Sequence, residues 1–115
     1  MRRTTVNTIR NRVTVEKAVS VMNERGVETF VYTGERDFKV WADIEPFGTR
    51  IVDHEAETVP ELAYRVTIRY RADISLHDRI VYGGRILEQT LPPMDIDGRH
   101  VWLQLQCREI VEAGP

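Results

Sequence analysis

Strict alternation of apolar and polar side chains over 63–71 limits what this chain can become more than any other feature. Tyr64, Val66, Ile68 and Tyr70 fall on one side, and Arg65, Thr67, Arg69 and Arg71 on the other. A period of two marks a strand with one face in a core and one in water. The pattern recurs over 100–107, with Val101, Leu103, Leu105 and Cys107 inward and Trp102, Gln104, Gln106 and Arg108 outward. Over 37–45, Phe38, Val40, Ala42 and Ile44 share a face opposite Lys39, Trp41 and Asp43. Val13 and Val15, flanking Thr14, predict a first strand over 12–19. Segments 79–82 and 85–91 flank Gly83-Gly84, where both positions tolerate positive φ, so they read as a tight hairpin.

Between these strands the period changes. Segment 20–34 carries Asn23, Gly26 and Gly34 among scattered Val27, Phe30, Val31 and Tyr32, and reads as a long loop or loose hairpin that orders against a partner. Over 48–59, Val52, Ala56 and Val59 recur at i, i+4 and i+7, which predicts a short amphipathic helix stopped by Pro60. Pro92-Pro93 and Asp97-Gly98 mark the next connection, and 111–115 is an aperiodic tail. At 115 residues the chain has room for one domain with one core, about 9–110. The expected class is mainly β: a small antiparallel barrel or sandwich of about six strands, with one short helix and a long loop.

Composition narrows the function. An apolar share of 42% and a charged share of 30% suit a folded protein. No apolar run approaches a membrane span, and no apolar stretch follows Met1-Arg2-Arg3, so folding in a cytoplasm without a membrane partner is expected. One cysteine, Cys107, leaves no internal disulfide, and its place in a strand pattern reads as core. Fourteen Arg stand against two Lys in a chain of net charge −2. The planar guanidinium pairs bidentately with carboxylates and suits interfaces, whereas a general nucleic-acid coat would be more basic.

Nothing in the sequence assembles a reaction centre. His54, His77 and His100 have no partner at metal spacing. The acidic run over 53–57 reads as a solvated face, with Asp53 and Glu57 on one side of the expected helix, and its charge would repel DNA in a channel. Ser20 and Ser75 lie in no nucleophile elbow, and Gly83-Gly84 has no phosphate-loop frame. No cofactor, metal or enzymatic activity is expected. The Arg65, Arg69 and Arg71 stripe admits two readings. It is either pairing with Asp43, Glu45 or a neighbour's acids, which the core-like placement of Tyr64 and Tyr70 favours, or the basic track of a small barrel that binds single-stranded nucleic acid.

Taken in order, several blocks carry a resemblance. They are Ile9-x-x-Arg12-Val13-Thr14-Val15, then Val40-Trp41-Ala42-Asp43-Ile44-Glu45-Pro46, then Tyr64-Arg65-Val66-Thr67-Ile68-Arg69-Tyr70-Arg71. Asp78-Arg79-Ile80-Val81-Tyr82-Gly83-Gly84-Arg85 and Trp102-Leu103-Gln104-Leu105-Gln106-Cys107-Arg108-Glu109 follow. From about 9 to 110 the chain resembles the head–tail joining proteins of long-tailed phages, also called head–tail adaptor, head-closure or stopper proteins. It departs from them at Gly48-Thr49-Arg50-Ile51, where a Gly-Arg-Glu-like helix start is common, and at Pro92-Pro93.

The resemblance implies a small β-barrel with a helix, working as a hexameric or dodecameric ring in the virion neck of a phage, prophage or gene transfer agent. The ring would sit below the portal and adaptor and above a tail terminator or tail-tube protein. It would retain packaged double-stranded DNA without reading its sequence, and dock the tail. Tyr32, Trp41, Arg50, Asp53, Glu57, Arg65, Arg69, Arg71 and Trp102 are the candidate interface or channel residues. Segments 47–62 and 20–34 are the candidate channel-facing and neighbour-contacting surfaces. A single-stranded nucleic-acid-binding barrel, or another neck ring component such as an adaptor or tail terminator, is the alternative.

Overall fold

The computed structural model describes residues 9–54 and 57–110, with side chains throughout except over 49–61. In chain order the strands are β1 (Asn11–Glu16), β2 (Val19–Met22), β3 (Glu28–Val31), β4 (Phe38–His54), β5 (Glu57–Arg69), β6 (Arg79–Tyr82), β7 (Arg85–Gln89), β8 (Met94–Asp95) and β9 (Trp102–Ile110). One 3-10 turn, Ile96–Gly98, is the sole helical element among the described residues.

Six of these strands close on themselves. The order runs β5–β4–β1–β6–β7–β9, and β9 pairs back onto β5 from Ala63↔Arg108 to Arg69↔Trp102, every pair antiparallel. Closure leaves the barrel wall no free edge, while β8 adds two residues to the outer part of β9. Alternation then dictates the core: Val13, Val15, Ala42, Tyr64, Val66, Ile68, Ile80, Leu87, Leu103, Leu105 and Cys107 point inward and are buried. Each of the large aliphatic ones contributes on the order of 2–3 kcal/mol by leaving water.

The strand directions give the barrel two distinct ends. At one end lie the start of β1, the Gly83-Gly84 turn and the end of β9. The long β4–β5 hairpin continues beyond it as a two-stranded arm, because β1 covers β4 only as far as Ala42 and β9 covers β5 only from Ala63. At the other end lie the β2–β3 hairpin, the β5–β6 crossing over 70–78 and the β7–β9 connection over 90–101. Six pairs from Thr49↔Leu62 to His54↔Glu57 make the arm about 20 Å long at the usual rise per strand residue. It starts at a bulge: the register shifts between Pro46 and Gly48, leaving Phe47 as the extra residue, and Gly48 takes φ +132°, which suits glycine.

One expectation is corrected here. Residues 48–54 and 57–59 are strand, not helix. Val52, Ala56 and Val59 fit a helical period, but Thr49, Ile51, Val52, Thr58 and Val59 are β-branched and stiff at χ1, and so few turns are marginal alone. Extending an existing antiparallel pair gains one ladder position per residue without a new nucleus. Segment 20–34 takes the hairpin of its two readings: β2 and β3 pair from Val19↔Val31 to Met22↔Glu28. Asn23 closes that turn, its Oδ1 accepting from the Arg25 and Val27 backbone N–H groups at 2.9 Å each. A smaller shift concerns Val101, which precedes β9 and is exposed rather than inward.

Candidate functional site

The far end of the barrel, below β2–β3, is closed by one carboxylate. Asp78 is 1% exposed and accepts from the Ala18 N–H at 2.8 Å, the Ser75 N–H at 2.9 Å and the Lys17 ammonium at 2.5 Å. Lys17 also donates to the Asp73 carbonyl, and Gln89 Nε2 donates to the carbonyls of Ser75 and Asp78 at 2.7 and 2.8 Å. The carboxylate is thus met by one cation and two backbone donors, while Gln89 Oε1 stays buried without a hydrogen-bond partner, and the group reads as a structural lock.

The β2–β3 hairpin leans on this lock through three contacts. Phe30 stacks on His77 at 3.8 Å, Tyr32 OH donates to the His77 carbonyl at 2.7 Å, and the Arg79 guanidinium lies 3.5 Å over the Tyr32 ring. Burial raises the Tyr32 hydroxyl above its ordinary pKa, against an opposing pull from Arg79. Beyond these anchors the hairpin buries little: Val21, Met22, Val27 and Val31 are all exposed, Met22 by 65%. Two strands with no packed face are marginal in water.

On the outer wall, register brings arginines and aromatics into alternation. Arg12 is opposite Trp41 and lies 5.1 Å over its ring, and Arg69 is opposite Trp102 at 4.8 Å. Trp41 sits one residue beyond the Ala42–Ile68 pair, beside Arg69, so the row reads Arg12, Trp41, Arg69, Trp102 across β1, β4, β5 and β9. Next to it, Asp43 and Thr67 are buried although their positions face outward. Arg65 covers Phe47 at 4.8 Å, at the arm's bulge, with Leu62 exposed near it.

The sequence-derived residues therefore separate into groups. Trp41, Arg69 and Trp102 share the row, and Arg65 belongs to the arm's base. Arg71 has left the stripe: it lies 3.9 Å over Phe38 and is bidentate with Asp73 at 2.9 and 2.8 Å. That guanidinium holds the Asp73 carboxyl down at about 2. Tyr32 stands apart on the hairpin's base. Arg50, Asp53 and Glu57 lie on the arm, opposite Glu61, Thr58 and His54 respectively, and their side chains fall outside the described residues. The helix on which Asp53 and Glu57 would have shared a face is absent. Asp95 ends β8 just before the 3-10 turn, and its oxygens take the His100 N–H at 2.9 Å and lie 2.6 Å from Nδ1, with His100 at φ +57°. Sequence reasoning missed the Asp78 lock and the burial of the Asp43–Thr67 pair, since neither has a local pattern.

With the closed barrel and its two projecting hairpins described, the comparisons decide the family. The family model of the phage head completion protein matches residues 5–110. The chain belongs to this family. As a head completion protein it is a structural component of a phage-type virion. Two solved structures share the fold. A chain from the virion of a native gene transfer agent particle superposes with a TM-score of 0.71 at 19% identity, covering 90% of this chain and 96% of that one. The solution structure of protein SF1141 from Shigella flexneri 2a gives 0.63 at 24% identity, over 96% of this chain and 100% of that one. A search of curated proteins finds no match.

Proposed function

We propose that this head completion protein acts as a stopper: a ring subunit at the head–tail junction that retains packaged DNA and gives the tail a docking surface. The family match over 5–110 carries the reading. The fold supports it, because a barrel with its own complete core also holds out an arm and a hairpin that it does not cover. Identical subunits joined by two different surfaces close into rings, of hexameric or dodecameric size here. Portal or adaptor above and tail terminator or tail tube below are the partners, with DNA passing through and no reaction performed. The arm over 48–62 and the hairpin over 19–31 are the channel-facing and neighbour-contacting surfaces, and Trp41, Arg65, Arg69 and Trp102 form the outer contact face. Among the described residues no α-helix occurs, which favours the stopper over an adaptor. The single-strand-binding reading draws less support, since guanidinium groups already lie on one face of Trp41 and Trp102 where bases would stack.

Removal of the gene tests this. The expected result is filled heads that lose DNA and carry no tails, restored by the wild-type chain. Tailed, DNA-tight particles without the protein would remove the stopper role.

A further inference from the structure

One side of the barrel wall is basic in a chain that is acidic overall. Around the Arg12, Trp41, Arg69, Trp102 row, Arg10, Arg12, Lys39, Arg65 and Arg69 stand against Asp37, Asp43 and Glu45, while the chain as a whole has net charge −2. The neighbouring charges are matched: Glu16 by Arg79, Glu88 by Arg108 and Asp73 by Arg71, and Asp95 engages His100. Arg12 and Arg69 are exposed, and neither makes an ion pair among the described residues. Each lies over an indole instead, 5.1 Å from the Trp41 ring and 4.8 Å from the Trp102 ring. A guanidinium laid on a ring keeps its N–H edge for an oxygen acceptor. Trp41, between the two, is 52% exposed.

We propose that this row docks an acidic segment of another virion protein, two carboxylates with an apolar side chain between them. The inference rests on the reading of this wall as a contact face and names what the face takes. Arg12 and Arg69 stand two strand spacings apart, about 10 Å, which is too far for one carboxylate to bridge. The partner therefore brings two acids, and its apolar side chain covers Trp41. Trp and Arg are the side chains that carry most affinity at the centre of protein interfaces. DNA fits less well: a phosphate backbone would leave the open indole surface uncovered and would meet the Glu45 carboxylate. A second copy also fits less well, because most acids of its projecting segments have an arginine near them. Glu24 and Glu28 flank Arg25, Glu35 precedes Arg36, Asp97 is two residues from Arg99, and Glu61 is opposite Arg50.

Photocrosslinking in assembled particles tests the docking, with p-benzoyl-phenylalanine in place of Trp41. The expected product is an adduct between this chain and a different virion protein, at a segment in which mass spectrometry finds at least two acids. An adduct to a second copy (the acids of its arm included), to DNA, or to a segment without acids would overturn the proposal. So would no adduct from particles that contain the chain. Each of those results leaves the stopper reading standing while electron microscopy shows the chain in the neck. Its absence from the neck would strike that reading too. Charge reversal gives an independent readout. Arg12→Glu with Arg69→Glu should melt like wild type, since both side chains are exposed, and should lower the yield of tailed particles about tenfold. Arg12→Gln with Arg69→Gln, which removes the charges without reversing them, should fall between that variant and wild type. Full yield from either pair counts against the docking.

Discussion

Cys107 shows how far a single position decides behaviour in this molecule. It is walled in by the barrel core, and burial pushes its thiol up to about 12. The thiolate is the nucleophile, so at pH 8 the folded protein should react with a thiol reagent only as fast as it unfolds, and fully in denaturant. Stoichiometric labelling of native protein within minutes would contradict that placement. Asp78 carries the opposite lesson. Replacing it by Ala leaves two backbone donors unpaired in a closed space and the Lys17 ammonium with the Asp73 carbonyl alone, at a cost of about 3 kcal/mol in urea unfolding. Cys107 was legible as core from alternation alone. The Asp78 lock was not, because its donors come from residues 17, 18 and 75, and residue 89 braces its carbonyl; only chain closure brings them together.

At the scale of elements, the tight β6–β7 turn follows from its two glycines, at φ +55° and +81°. Open space surrounds both, so substitution meets backbone strain and nothing else. Gly84→Val should cost about 1–2 kcal/mol, while Gly83→Asn, at an angle Asn tolerates, should be nearly neutral in thermal melts. The β2–β3 hairpin adds a pH dependence. Its Tyr32 hydroxyl has a folded pKa raised above the unfolded value, so the proton is held more tightly when folded. That contribution is complete below about pH 10 and is lost as pH rises through the folded pKa. Phe30 and Tyr32 ring resonances should shift together above pH 10, and Tyr32→Phe should remove the transition at a cost of about 1 kcal/mol. The barrel strands were readable because each has one wet face. The arm was not: beyond the reach of β1 and β9 its apolar residues keep no strict period, and Val52, Ala56 and Val59 fell by chance on a helical spacing.

Across the whole molecule, the exposed features lie outside the core, so loss of assembly and loss of stability should separate. Trp41 is 52% exposed and touches Arg12. Trp41→Ala should therefore lower stability by less than about 1 kcal/mol yet reduce the yield of complete particles. Normal yield from that variant would remove Trp41 from the contact face. The purified chain should sediment as a monomer at micromolar concentration, since a single copy of each contact is too small to hold a pair.

The arm's prolines bear on timing inside the cell. Among the described residues, Pro46 and Pro60 both lie where their strand has only one neighbour, on rims that another ribbon would otherwise zip onto. Proline carries no N–H to add to a ladder, and an edge is where a sheet tolerates it. Under the proposed function, copies made early are expected to stay apart in solution until they join a head, and fibrils from the purified chain at high concentration would contradict that.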